Sequence, residues 1–105
     1  MKETTIDIAK DFSDTPGARY KTDGPFSGEQ FREEILEPAF NEYDHITVIL
    51  DGTEGYATSF LEESFGELSR RYGADAVEKK ITFISNEDPL LIKEIMEYIS
   101  EAIAA

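Results

Sequence analysis

The chain has 105 residues and carries 23 acidic against 10 basic side chains, a formal net charge of −13. That length fits a single domain over 1–105, and so acidic a surface repels phosphate backbones, which argues against nucleic-acid binding and leaves two readings, a partner with a basic surface or a charge that only keeps the protein soluble. There is no cysteine, no apolar run near the ~20 residues that span a bilayer, and no apolar leader in MKETTIDIAK, so disulfides, thiolate chemistry and membrane insertion are excluded as expectations and the expected location is the cytoplasm.

Thr4 to Ala9 alternates like a half-buried strand. Asp11 to Gly17 is turn-rich, Arg19 to Thr22 reads as a short second strand, and Asp23-Gly24-Pro25 is a further turn. Ser27 and Gln30 have the spacing of a capping box, with Phe26 and Phe31 placed as a hydrophobic staple. Phe31, Ile35, Leu36, Ala39 and Phe40 give that helix an apolar stripe, and Pro38 is expected to kink or restart it. Ile46 to Leu50 is almost continuously apolar or β-branched, as in an interior strand covered on both faces. After an acidic glycine turn, Thr58-Ser59 opens a helix whose apolar side is Phe60, Leu61, Phe65, Leu68 and Tyr72, ended by Gly73. Ile81 to Ile84 is another short strand. Asp88-Pro89 starts a last helix, with Leu91, Ile92, Ile95, Met96, Ile99 and Ile103 on its apolar face. Strands alternating with helices predict a small α/β domain, with about four strands in a mixed sheet and three main helices mostly on one face. Right-handed crossovers bring the ends of the 46–50 and 81–84 strands to one edge, where ligands of open α/β sheets bind.

The segments DGPFSGEQFREEILEPAF and ILDGTEGYATSFLEESFGEL resemble a STAS-like domain family of unknown function, which is distantly similar to the STAS domains of anti-sigma factor antagonists. The resemblance covers about Ala18 to Ser85, and S-F-L-E-E-x-F-G is its most specific piece. In those antagonists the strand is followed by D-S-S-G-L or D-S-T-G-L, whose first hydroxyl is phosphorylated by a partner kinase that is also an anti-sigma factor. Laid on this chain, Thr58 takes the phosphorylated position and Ser59 the second hydroxyl, with Ala57 and Phe60 standing where the motif has aspartate and glycine. The resemblance implies a non-enzymatic regulatory module that binds protein partners, among them a histidine-kinase-type ATPase.

Two readings of Thr58-Ser59 stand side by side. Ser59 and Glu62 have the spacing of a second capping box, whose loss typically costs ~1 kcal/mol. Alternatively, one hydroxyl accepts a phosphate that the helix N-terminus favours and that Asp51, Glu54, Glu62 and Glu63 oppose. Asp51 follows the central strand and reads as the start of a turn. Tyr56 is either an exposed contact residue or a plug at the sheet end. His45, the one histidine, precedes the central strand without a motif partner, and Arg32 reads as a surface ion-pairing residue between Glu29 and Glu33. The expected partner surface is therefore Asp51, Tyr56, Thr58, Ser59 and Glu62, with no catalytic residue, metal or cofactor. The alternatives are a metal-dependent phosphotransfer or hydrolytic site built on Asp51 and Glu62, and a small-ligand pocket at the sheet edge flanked by Tyr56 and Phe26.

Overall fold

Three short segments rich in β-branched residues pair side by side: Glu3–Asp7 (β1), His45–Ile49 (β2) and Ile81–Ile84 (β3). The sheet order is β1-β2-β3, and both pairings are parallel, with Thr4, Ile46 and Ile81 in one row and Ile6, Val48 and Phe83 two residues on. The computed structural model describes residues 1–102; the expected apolar contact of Ile103 lies outside them.

Among the described residues, three parallel strands replace the four of a mixed sheet. The segment expected as a second strand closes on itself instead, as a single tight turn at Lys21–Asp23. There Asp23 accepts the Tyr20 N–H through its carboxylate and donates its own N–H to the Tyr20 carbonyl, so groups a ladder would need are spent locally. β1 also ends sooner than expected. Asp7 caps a one-turn helix at Ile8–Asp11 (α1) by accepting the Lys10 N–H.

The first long helical run, over 28–42 (α2), starts where Ser27 Oγ accepts the Gln30 N–H at 3.0 Å. The Gln30 side chain turns towards Glu34, so only half of the capping box forms. Phe12 stands between the two staple residues, with ring centroids 5.7 Å from Phe26 and 5.3 Å from Phe31. The run is α-helical at Gly28–Phe31, widens to a π-turn at Arg32–Leu36, and is α-helical again at Glu37–Glu42. The wide turn sits just before Pro38, whose ring and missing N–H fit a regular turn poorly.

The run over 58–72 (α3) has the same plan: α at Thr58–Leu61, π at Glu62–Gly66, α at Glu67–Tyr72. Gly73, at φ 95°, ends it and at once opens a further helix at Ala74–Lys80 (α4), which the sequence reading left unassigned. Leu90–Glu101 (α5) is the last element. It docks on the domain, burying Ile95 and Ile99 and accepting the Ser69 hydroxyl at the Ile99 carbonyl, 2.7 Å.

The core lies between one sheet face and these helices. Ile6, Ile46, Val48 and Ile81 point into it and meet Phe31, Leu36, Phe40, Phe60, Leu61, Phe65 and Leu68, with Val77, Ile95 and Ile99 closing the far side. β2 alternates between buried and half-exposed residues. The expectation that it is covered on both faces is thus corrected. A sheet whose strands follow one another in a single direction carries right-handed crossovers all on the same side, which leaves the other side open.

Candidate functional site

The strand ends meet as the topology requires. Leu50 N–H continues the ladder to the Ile84 carbonyl at 2.8 Å. Beyond it, Asp51 bridges the loops after β2 and β3. Its Oδ1 accepts the Glu87 N–H at 2.8 Å and its Oδ2 the Asn86 N–H at 3.0 Å, while Gly52, at φ 95°, returns its own N–H to Glu87 Oε1 at 2.7 Å. The Glu87 and then the Asn86 amide hold the Asp51 carboxyl below the usual carboxylate range. Asp51 therefore does more than start a turn: it ties two loops together.

Tyr56 plugs the sheet end. Its hydroxyl donates to the Leu50 carbonyl at 2.8 Å, its ring lies 5.9 Å from that of Phe60, and burial pushes its hydroxyl up to about 12. Beside it opens a cleft of about 260 Å³ lined by Leu50, Asp51, Glu54, Tyr56, Glu87, Asp88, Leu91 and Glu94 among others. Five of these are acids. Phe26 is not among them, so the pocket flanked by both aromatics does not form.

α3 starts two residues earlier than its capping pattern suggests. Ala57 occupies the cap position and no side chain caps the helix. The Phe60 and Leu61 N–H groups both reach the Ala57 carbonyl, and Ser59 already lies inside the first turn. The Ser59–Glu62 capping box is thereby corrected. Glu62 faces elsewhere: Arg70 takes both of its oxygens, at 2.7 and 2.9 Å, and Arg19 takes one at 2.9 Å. Arg70 foremost, then Arg19 against the cost of burial, holds the Glu62 carboxyl low. Gly66 makes room for it, because a Cβ there would meet the Glu62 carboxylate.

Thr58 is exposed and Ser59 half-exposed. Next to Thr58, Tyr98 of α5 donates to Glu94 Oε2 at 2.6 Å. Burial and that carboxylate raise the Tyr98 hydroxyl, with the Thr58 hydroxyl acting in the opposite sense. A negative group on Thr58 therefore meets Glu94 as well as the helix start.

Of the five expected site residues, Asp51 and Tyr56 line the acidic cleft, Thr58 and Ser59 follow Tyr56 in the chain without lining it, and Glu62 is drawn away into an ion-pair network. Asp51 and Glu62 line separate cavities, and among the described residues no group of three or more His, Asp or Glu is placed to hold a metal. His45 opens β2 and pairs with Thr82 across the open sheet face, Nε2 to Oγ1 2.8 Å. The arginines of the nearest basic cluster are spent internally, Arg70 on Glu62 and Glu67 and Arg71 on Glu67.

Sequence reasoning missed the polar centre between the helices. Arg32, expected at the surface, is 2% exposed. Its Nη1 donates to Glu37 at 2.6 Å and its Nη2 to Glu63 at 3.2 Å. Burial works against its charge, and the bonds to Glu37 and Glu63 outweigh that and keep its pKa above the ordinary value. The pairing with Glu37 is at i+5, a spacing that only a π-turn brings together, so the i+3 and i+4 reading could not find it.

No helix among the described residues is long and apolar enough to cross a membrane. No curated protein and no solved structure matches the chain. A family match does cover residues 27–91, from the cap of α2 through β2, α3, α4 and β3 into the first turn of α5, more than half of the chain and nearly all of the edge just described. By that match the chain belongs to the family described as STAS-like domain of unknown function (DUF4325).

Proposed function

We propose that the chain is a regulatory module acting through protein–protein contact at the C-terminal edge of its sheet, switched by phosphorylation at Thr58 or Ser59. The observation that carries this reading is the start of α3. Its first-turn N–H groups have no side-chain cap, and an exposed Thr58 and a half-exposed Ser59 stand there, two and three residues beyond Tyr56, which walls the acidic cleft. Capping no longer accounts for Ser59. A basic side chain of a partner fits the cleft by charge, with Tyr56 as an aromatic wall. A phosphate on Thr58 adds about −1.5 to −2 of charge to an anionic surface, next to the Tyr98–Glu94 pair. It changes which partner surface the edge accepts. The likeness to anti-sigma antagonists makes a histidine-kinase-type ATPase the partner class to test first.

Phosphopeptide mapping of the protein purified from its own cells tests the switch. Phosphate on Thr58 or Ser59, removed by phosphatase treatment, is the expected result. Phosphate confined to other residues, or none under any growth condition, overturns it.

A further inference from the structure

The open face of the sheet holds three rows of side chains. Glu3 and His45 form the first; Thr5, Thr47 and Thr82 the second; Asp7, Ile49 and Ile84 the third. Glu3, Thr5, Thr82 and Ile84 are exposed and His45, Thr47 and Ile49 half-exposed. Ile84 is 36% exposed, and neither it nor Ile49 joins the core. Parallel sheets occur almost only with both faces covered, and among the described residues the core-forming helices of this one lie on a single side.

We propose that a basic amphipathic helix of a protein partner docks on this face, independently of the acidic edge. The area decides against a second copy. Three strands of this length offer a patch of about 14 by 17 Å, the footprint of one helix in a weak, transient contact and far less than the ~800 Å² per partner of a stable dimer. A helix is about 10–12 Å across and about 18 Å long over twelve residues, so one helix covers the patch. The charge decides its chemistry. Glu3 and Asp7 sit on the β1 side, and no Lys or Arg belongs to the three rows. Lys80, at the start of β3, is turned to the other side, onto the Phe40 carbonyl and ring. A chain of net charge −13 adds to the attraction for a basic segment and to the repulsion of its own copy. The docked helix lays its apolar stripe along Ile49, Ile84 and the threonine methyls, with its Lys or Arg flank over β1.

Amide and methyl NMR shifts of the labelled full chain test this. The probe is a synthetic helical peptide of about 18 residues, with a leucine stripe and lysines on its polar face; its twin carries glutamate for lysine. Saturable shifts at 3–7, 45–49 and 81–84 with the lysine peptide alone are expected, and Ile84→Lys weakens them by about tenfold. Thr82→Lys serves if Ile84→Lys does not fold. Shifts confined to 50–59 and 85–94 place the peptide at the acidic edge and overturn the proposal while leaving the edge reading intact. Equal shifts with the glutamate peptide, no shifts with either, or peptide-free shifts of the face that grow with protein concentration also overturn it, the last in favour of a second copy.

Discussion

Arg32 ties the two long helices together through one guanidinium. Its Nε has no hydrogen-bond partner while both Nη groups do, so nearly all of the compensation for a buried charge comes from Glu37 and Glu63. Removing it leaves Glu63 to Arg19 at 3.6 Å and Glu37 to Arg71 at 3.8 Å, both longer contacts than those Arg32 makes itself. Arg32→Met is expected to cost about 3–5 kcal/mol, read from denaturant unfolding. A loss under about 1 kcal/mol would mean that solvent already screens the cluster. Asp51 gives a second prediction at this scale. Its carboxyl is held low in the folded chain, so the unfolded chain takes up the proton first as pH falls. The stabilisation is complete above the ordinary carboxylate value near 4 and is lost as pH drops through the lower folded value. The melting temperature of wild type should exceed that of Asp51→Asn most at pH 7, and the gap should close below about pH 4. Residues such as these are the least legible in the sequence. The Asp51 bridge depends on amides 35 and 36 positions away, and Arg32 on a turn type without a sequence signature.

At the scale of elements, apolar periodicity was enough to locate α2, α3, α5 and the β2 and β3 segments, because a buried stripe leaves a 3.6- or 2-residue period. It failed where backbone closure is local. Arg19 to Thr22 has strand-like residues, yet the Tyr20–Asp23 pair turns them into a tight loop. It also failed at the start of α3, where S-x-x-E is present but the chain enters the helix at Ala57, with Tyr56 pinned to Leu50. The matching π-turns of α2 and α3 face each other across the Arg32–Glu63 pair, and Gly28 lets the two helices approach. A Cβ on Gly28 would lie 2.6 Å from the Phe60 carbonyl oxygen, which is backbone and cannot swing away. Gly28→Ala should therefore destabilise by about 1–3 kcal/mol, against the gain of helix propensity that alanine brings elsewhere. Equilibrium unfolding checks this, and a neutral or stabilised variant would show that the helices can part at little cost.

For the whole molecule, the charge is the dominant fact. The arginines are consumed in pairs with Glu37, Glu62, Glu63 and Glu67, so the excess acids are left on the surface. Self-repulsion should outweigh those pairs. Raising salt from low to physiological strength is expected to stabilise the chain by on the order of 1 kcal/mol, about 4–8 °C in melting temperature. A fall would mean that the ion-pair network carries more of the stability than the repulsion removes. The same excess bears on the proposed function, since the start of α3 follows directly on the loop that walls the acidic cleft. A side-by-side pull-down from native lysate tests the C-terminal edge of the sheet most directly, with wild type, the Thr58→Glu, Ser59→Glu double variant and a Thr58→Val, Ser59→Ala control, all of equal melting temperature. A partner recovered alike by wild type and by the uncharged control, and in a clearly different amount by the glutamate variant, is the predicted result. Equal recovery on all three would contradict a charge switch at this edge.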